Sequence, residues 1–252
     1  MKLSSPVAAI IPYLAVSLMT VLGFSGQAQA FRFSGSSAGT WGNPTPEKVN
    51  PDYPNAPIKP IFTGVGGNRF TWGEPGVRFA NGQISVANWM EFDGIPNFET
   101  KTNNLFKVGS LTYFNGTTPL GTNVDSVPLN FSVLFNNPTN ERKNFDFQFQ
   151  LVNTPNLGTA EQNADFVFVK QNIKNQTFEV DGRKFALQIT GFRQEQNILN
   201  QSVNEFRVLE AATTTASIYG TIVSVPEPAA LTGISLLGAY LISRRKSSRV
   251  KK

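Results

Sequence analysis

Phe145, Phe147, Phe149 and Leu151 alternate without a break with Asp146, Gln148 and Gln150. A period of two puts the four apolar side chains on one face of an extended strand and the polar ones on the other. No helix gathers these seven residues into a single apolar stripe, so the segment commits the chain to a sheet with one dry and one wet face. Sheets of that kind pair antiparallel. Thr177 to Val180, then Asp181-Gly182, then Arg183 to Ile189 read as a hairpin. Asp-Gly suits a type I′ turn, which needs positive φ at both central positions. Further strands are expected at Ile84 to Phe92, Phe106 to Phe114, Val127 to Phe135, Glu205 to Leu209 and Thr214 to Val223. Phe166 and Phe168 repeat the inward pattern around Val167. Asn115-Gly116, Asn136-Asn137-Pro138 and Asn153-Thr154-Pro155-Asn156 supply turns. No segment from Phe31 to Ser224 reads as a helix.

About nine to eleven short strands with polar turns predict an all-β, antiparallel β-sandwich or jelly-roll-like single domain over residues 31–224. Asn43 to Pro60 holds six prolines in 18 residues and is expected to form an extended surface loop.

Both ends read differently. Lys2, an apolar stretch from Val7 to Phe24 and the A-x-A site Ala28-Gln29-Ala30 form a secretory signal peptide over residues 1–30, with Phe31 as the mature start. At the other end Val225-Pro226-Glu227-Pro228 leads into an apolar run from Ala229 to Ile242. Those 14 residues make about 21 Å of helix against a hydrocarbon core of about 30 Å. Ser243 and snorkelling Arg244 and Arg245 extend a transmembrane helix over 229–243, and Lys246 continues the basic tail, 244–252. A buried core helix is the competing account of so short a run. Terminal position, lack of amphipathic periodicity and six cations in the last nine residues oppose it. Arg244, Arg245 and Lys246 orient the segment with its end in the cytoplasm.

Val-Pro-Glu-Pro, an apolar helix and an Arg-rich end, in that order at the terminus, resemble the PEP-CTERM sorting signal of bacterial surface proteins. The resemblance covers Val225 to Lys252. It implies Sec-type export, residence in the inner membrane as a precursor, and processing near the motif by an exosortase, a membrane-embedded transpeptidase-like enzyme. A second resemblance lies inside the β-region. Gly39-Thr40-Trp41-Gly42, Phe70-Thr71-Trp72-Gly73, the run Phe106 to Asn115 and Asp165-Phe166-Val167 are similar to the choice-of-anchor domains, most like type K. It spans about Phe31 to Val223 and implies an exported, surface-displayed β-domain with no particular activity.

The whole chain carries 22 basic and 17 acidic residues, a net +5. Setting aside Lys2, the six tail cations and Glu227 leaves 15 basic against 16 acidic residues between Phe31 and Ser224. The high pI therefore belongs to the ends, and the β-region has no nucleic-acid footprint. Cys and His are absent from the sequence. That excludes disulfides, thiolate catalysis, Cys-based zinc sites and the usual imidazole general base.

Trp41, Trp72 and Trp89 have two readings, a sugar-stacking platform or packing in the core and against turn glycines. Glu91 and Asp93 share a strand face and Glu74 sits in a Gly/Pro-rich loop, but nothing pairs two carboxylates as a glycosidase requires. Asp52, Asn55, Asn156, Asn163 and Asp165 are oxygen donors suited to calcium, though no spacing matches a D-x-[DN]-x-[DN]-G loop. Gly64-Val65-Gly66-Gly67 lacks the Lys and helix of a phosphate loop. The expectation is a non-enzymatic structural or adhesive domain of the cell surface or extracellular matrix. A lectin-like module for envelope polysaccharide is the alternative, with a glycoside-active enzyme third.

Overall fold

In a computed structural model of the chain, which describes residues 30–48, 55, 57–154, 156, 158–170, 176–194 and 204–225, the alternation from Phe145 to Leu151 becomes β9 (Glu141–Val152). Its four apolar side chains are all buried. Residues 32–225 belong to one compact unit. One sheet runs β13 (Glu205–Val208), β10 (Asp165–Lys170), β9, β8 (Val124–Asn137), β1 (Arg32–Trp41) and β6 (Phe98–Lys101), with the two-residue β2 (Thr45–Pro46) on β8. The other runs β11 (Thr177–Val180), β12 (Arg183–Gln194), β14 (Thr213–Ser224), β7 (Leu105–Phe114), β5 (Asn88–Gly94), β4 (Arg69–Trp72) and β3 (Phe62–Thr63). Every strand pairing is antiparallel. The two curled sheets face one another as a β-sandwich-like domain, and among the described residues there is no helix.

Aromatic rings fill the space between the sheets. Phe33 and Phe135 of the first sheet meet Phe178 and Phe185 of the second at centroid distances of 5.1–6.0 Å. Trp41 meets Phe149 and Phe70. Rings supply large buried area with two torsions to order, which suits a core holding no disulfide.

β1 is the largest strand that the pattern of the sequence hides. Its middle, Ser34 to Thr40, is made of small residues. The structure explains why. A Cβ on Gly35 would lie 2.1 Å from the Leu134 carbonyl oxygen, and one on Gly39 2.9 Å from the Phe92 ring. Here the two sheets close on one another. Ser37 Oγ donates to the Val108 carbonyl at 2.5 Å and accepts from the Ile95 amide at 3.0 Å. Smallness is thus selected by close approach rather than by strand propensity.

Three other expectations change. β5 begins at Asn88, not Ile84, because residues 76–86 fold back on themselves through Gly76 N to Ser85 O, Ser85 N to Val77 O and Phe79 N to Gln83 O. Ile84 and Val86 are left exposed. On β10 the buried residues are Asp165 and Val167, while Phe166 and Phe168 face outward. Register decides this: Val167 lies opposite Leu151 and Phe206, both buried. An apolar run without alternation cannot choose its own face. The proline-rich stretch is not wholly loose, since Thr45 and Pro46 pair with Ser126 and Val124, and Lys59 N and Ile61 N donate to Gly121 O and Thr122 O.

Both ends of the domain emerge at one end of the sandwich. Arg32 pairs with Lys101, the Asn137 amide donates to Arg32 O, Asn103 N donates to Ile222 O, and Val225 N donates to Lys184 O. The Asp181-Gly182 turn lies there too, with φ of 49° and 71° as its sequence requires. The loops after β7, β9 and β13 gather at the far end.

Candidate functional site

At the far end the described side chains build a polar cluster between the sheets. β7 delivers Tyr113 with its ring inside, since Leu111 and Tyr113 share the buried face. β10 delivers Asp165 in phase with Val167. Tyr113 OH donates to Asp165 Oδ2 at 3.2 Å, and Thr154 donates to Oδ1 from its amide at 2.7 Å and its hydroxyl at 3.1 Å. Burial raises the Asp165 pKa from 3.8 to about 6, against the opposing pull of the Thr154 and Tyr113 bonds and helped by the Glu210 charge. The Tyr113 phenol rises well above its ordinary value, by burial first and the Asp165 charge second. Glu210, in the turn before β14, is half-buried and raised by desolvation, while accepting from Thr117 Oγ1 and bonding Asn156.

Asparagines carry the loops around this pair. Asn115 is fully buried; its amide donates to Val208 O at 3.0 Å, and its backbone bonds Ala211 and Ala212. Asn88 Oδ1 accepts from Gly116 N at 2.6 Å, and Asn88 Nδ2 reaches Asn153 at 3.4 Å. The cluster ties the turns after β7, β9 and β13 to both sheets. With Asp165 4% exposed and Tyr113 1% exposed, it clamps these turns rather than meeting a substrate.

The tryptophans do not form one platform. Trp41 and Trp72 have no exposed surface, so neither offers a ring face to a sugar, and the packing reading replaces the platform for both. Trp41 Nε1 donates to Asn68 O at 2.8 Å, and its backbone is gripped by Gly66 N at 2.7 Å and Gly67 O at 2.8 Å. The glycine run Gly64 to Gly67 therefore serves as a brace for Trp41. Trp89 is half-buried on the outer face of its sheet, with the Arg69 guanidinium 3.9 Å above its ring and Phe114 stacked at 6.1 Å. Glu91 and Asp93 share that outer face, and Glu91 lies 3.8 Å from Arg69. Glu74 N is held by Thr122 Oγ1 at 3.2 Å.

The calcium candidates are dispersed. Asp165 has both oxygens engaged, Asn156 bonds Glu210, Asn163 closes its own loop on Gly158 at 2.7 and 3.2 Å, and Asn55 is exposed. Among the described residues no three His, Cys, Asp or Glu side chains stand together as metal ligands. Asp52 lies outside the described residues, as do Ala28, Pro226, Glu227, Pro228, Arg244, Arg245 and Lys246. Ala30, Phe31 and Val225 are described. Among the described residues no helix is long and apolar enough to cross a membrane.

Two open clefts complete the surface. One, of about 300 Å³, lies on the flank where β12 faces β10 and β13, by Phe168, Ile189 and Glu205. The other, of about 390 Å³, lies at the terminal end between Arg32, Ser34, Glu99, Lys101, Asn104 and Asn137. Fold and side chains together define an all-β, two-sheet, sandwich-like protein. The chain matches no known protein-family model and no curated protein.

Proposed function

We propose that this chain is an exported bacterial envelope protein whose β-domain serves a structural or adhesive role and whose last residues carry a PEP-CTERM-like sorting signal. The supporting observation is where the folded domain stops. The bond from Val225 N to Lys184 O is the last one described, and the next residue, Pro226, has no N–H to continue a ladder. Val225-Pro226-Glu227-Pro228 is thus a segment that the sheet does not require. An enzyme that grips a chain beside the bilayer needs such a segment. On this reading residues 1–30 direct Sec-type export, 229–243 hold the precursor in the inner membrane, and an exosortase acts near 225–228 to give a surface or matrix form. The sandwich is jelly-roll-like in this proposal, because successive strands β6, β7 and β8 alternate between the two sheets. A lectin-like role toward extracellular polysaccharide retains only Trp89 among its three tryptophans.

Intact-mass analysis of the mature protein tests the proposal. It should begin at Phe31 and lack the residues beyond the Pro-Glu-Pro motif. Lys252 still present in the surface fraction of cells with a working exosortase would leave an ordinary tail anchor instead. Alanine at Pro226, Glu227 and Pro228 should keep the protein in the membrane fraction.

A further inference from the structure

Arg32 and Lys101 stand directly opposite one another in the β1–β6 ladder, both exposed. Like charges in register repel, and a sheet edge has no folding reason to keep them. Neither has an ion-pair partner among the described residues. They flank the cleft of about 390 Å³, whose other walls offer the Ser34 hydroxyl and the Asn104 and Asn137 amides. Their neighbours extend the pattern. The first or last three positions of strands at this end also carry Arg142, Lys143, Arg183 and Lys184, against Glu99, Glu141, Glu179 and Asp181. The far end has the opposite balance: Glu47, Glu74, Asp125, Glu161, Asp165 and Glu210 against Lys48, Lys59 and Arg78. The described domain is therefore a charge dipole lying along the strands, positive where residues 32 and 225 emerge.

Residues 226–252 leave from that positive end and contain the apolar run and six cations. We infer that the terminal end of the sandwich is a docking face for anionic phospholipid headgroups, with the Arg32–Lys101 cleft receiving a headgroup phosphate. This rests on the membrane-held precursor proposed above. A planar guanidinium and a mobile ammonium, backed by amide donors, match phosphate oxygens. An anionic surface attracts such a cluster within about a Debye length, and the tail holds it inside that range. Docking presents the Val225–Pro228 segment at a fixed height above the bilayer.

The sequence has no cysteine, so single labels can be placed at will on the full chain. Asn140→Cys labels the terminal end and Gln83→Cys the far end, both at exposed positions. The chain is reconstituted into vesicles of phosphatidylcholine alone or mixed with phosphatidylglycerol, and energy transfer to a headgroup acceptor is read. Transfer from position 140 should exceed that from position 83 and rise with phosphatidylglycerol. The double variant R32Q/K101Q should lower the docked-to-undocked ratio by roughly an order of magnitude, while vesicle association through the tail persists. Its melting temperature should stay the same or rise, since a repulsion is removed. Transfer unaffected by phosphatidylglycerol or by R32Q/K101Q, with the chain still vesicle-bound, overturns the docking face alone. Failure of the full chain to bind either vesicle overturns the membrane reading and the docking face with it. Loss of transfer on adding a soluble acidic polysaccharide, without dependence on phosphatidylglycerol, would assign the cleft to that polymer instead.

Discussion

Tyr113 and Asp165 join the two sheets through one buried hydrogen bond, phenol to carboxylate oxygen, 3.2 Å long and 52 residues apart in sequence. The carboxyl sits where its charge is poorly solvated, so its folded pKa of about 6 exceeds its ordinary 3.8. The folded state therefore binds this proton more tightly than the unfolded state does. Its stabilising contribution is complete below about pH 3.8 and is lost as pH rises through about 6.

Asp165→Asn should raise stability at pH 7.5 by up to about 3 kcal/mol. It should change little near pH 4. An amide keeps an oxygen for Tyr113 or Thr154 without the charge. Each kcal/mol is worth roughly 2–4 °C in a domain of this size. Melting curves of both proteins across pH measure the gap; one of equal size at pH 4 and 7.5 would remove titration as its cause.

Tyr113→Phe should destabilise the domain by roughly 1–3 kcal/mol at neutral pH, because Asp165 Oδ2 loses its donor while staying buried. It should also push the Asp165 pKa higher still, which carboxyl NMR titration reads directly.

The tryptophans should separate by accessibility. Trp41 and Trp72 are fully buried and Trp89 half-buried. Trp89→Phe should abolish most iodide quenching of the emission, whereas Trp41→Phe and Trp72→Phe should preserve it. Trp41→Phe should additionally cost about 2 kcal/mol through the lost bond to Asn68 O and the lost volume.

Gly64 and Gly66 form a paired test. Both have positive φ, 92° and 85°. A Cβ at Gly64 would fall 2.0 Å from the Arg69 carbonyl oxygen, whereas one at Gly66 meets nothing within 4 Å. Gly66→Ala should cost about 1–2 kcal/mol, the backbone strain alone. Gly64→Ala should cost at least about 3 kcal/mol and loosen Trp41 with it. Urea midpoints compare them, and equal costs would deny the close approach.

β10 provides the register test. Val167→Ala should destabilise by about 2 kcal/mol, and Phe168→Ala by less than about 1, although phenylalanine is the larger side chain. Chemical denaturation of the two variants checks the order.

Strands with strict alternation were legible from the chain. β9, the Asp181-Gly182 hairpin and the body of β7, β8 and β14 announce themselves, because one wet and one dry face leave a period of two. β1 was not legible, since its glycines and serines answer to Leu134 and Phe92, which lie far along the chain. Asp165 left a faint signal, a carboxylate in phase with Val167. Nothing nearby names Tyr113 or Glu210 as its neighbours.

The amino-acid sequence by itself determined the class of fold, the lack of disulfide and imidazole chemistry, and the separation of a nearly neutral β-region from basic ends. These follow from local periodicity and composition, which act over a few residues. Only the tertiary structure decided which face of β10 is buried, that Trp41 and Trp72 belong to the core, that Asp165 is held by Tyr113, and that Arg32 faces Lys101 beside the chain's exit. Those are consequences of register and sheet closure, where residues distant in sequence compete for the same few ångströms and the packing of the whole selects the winner.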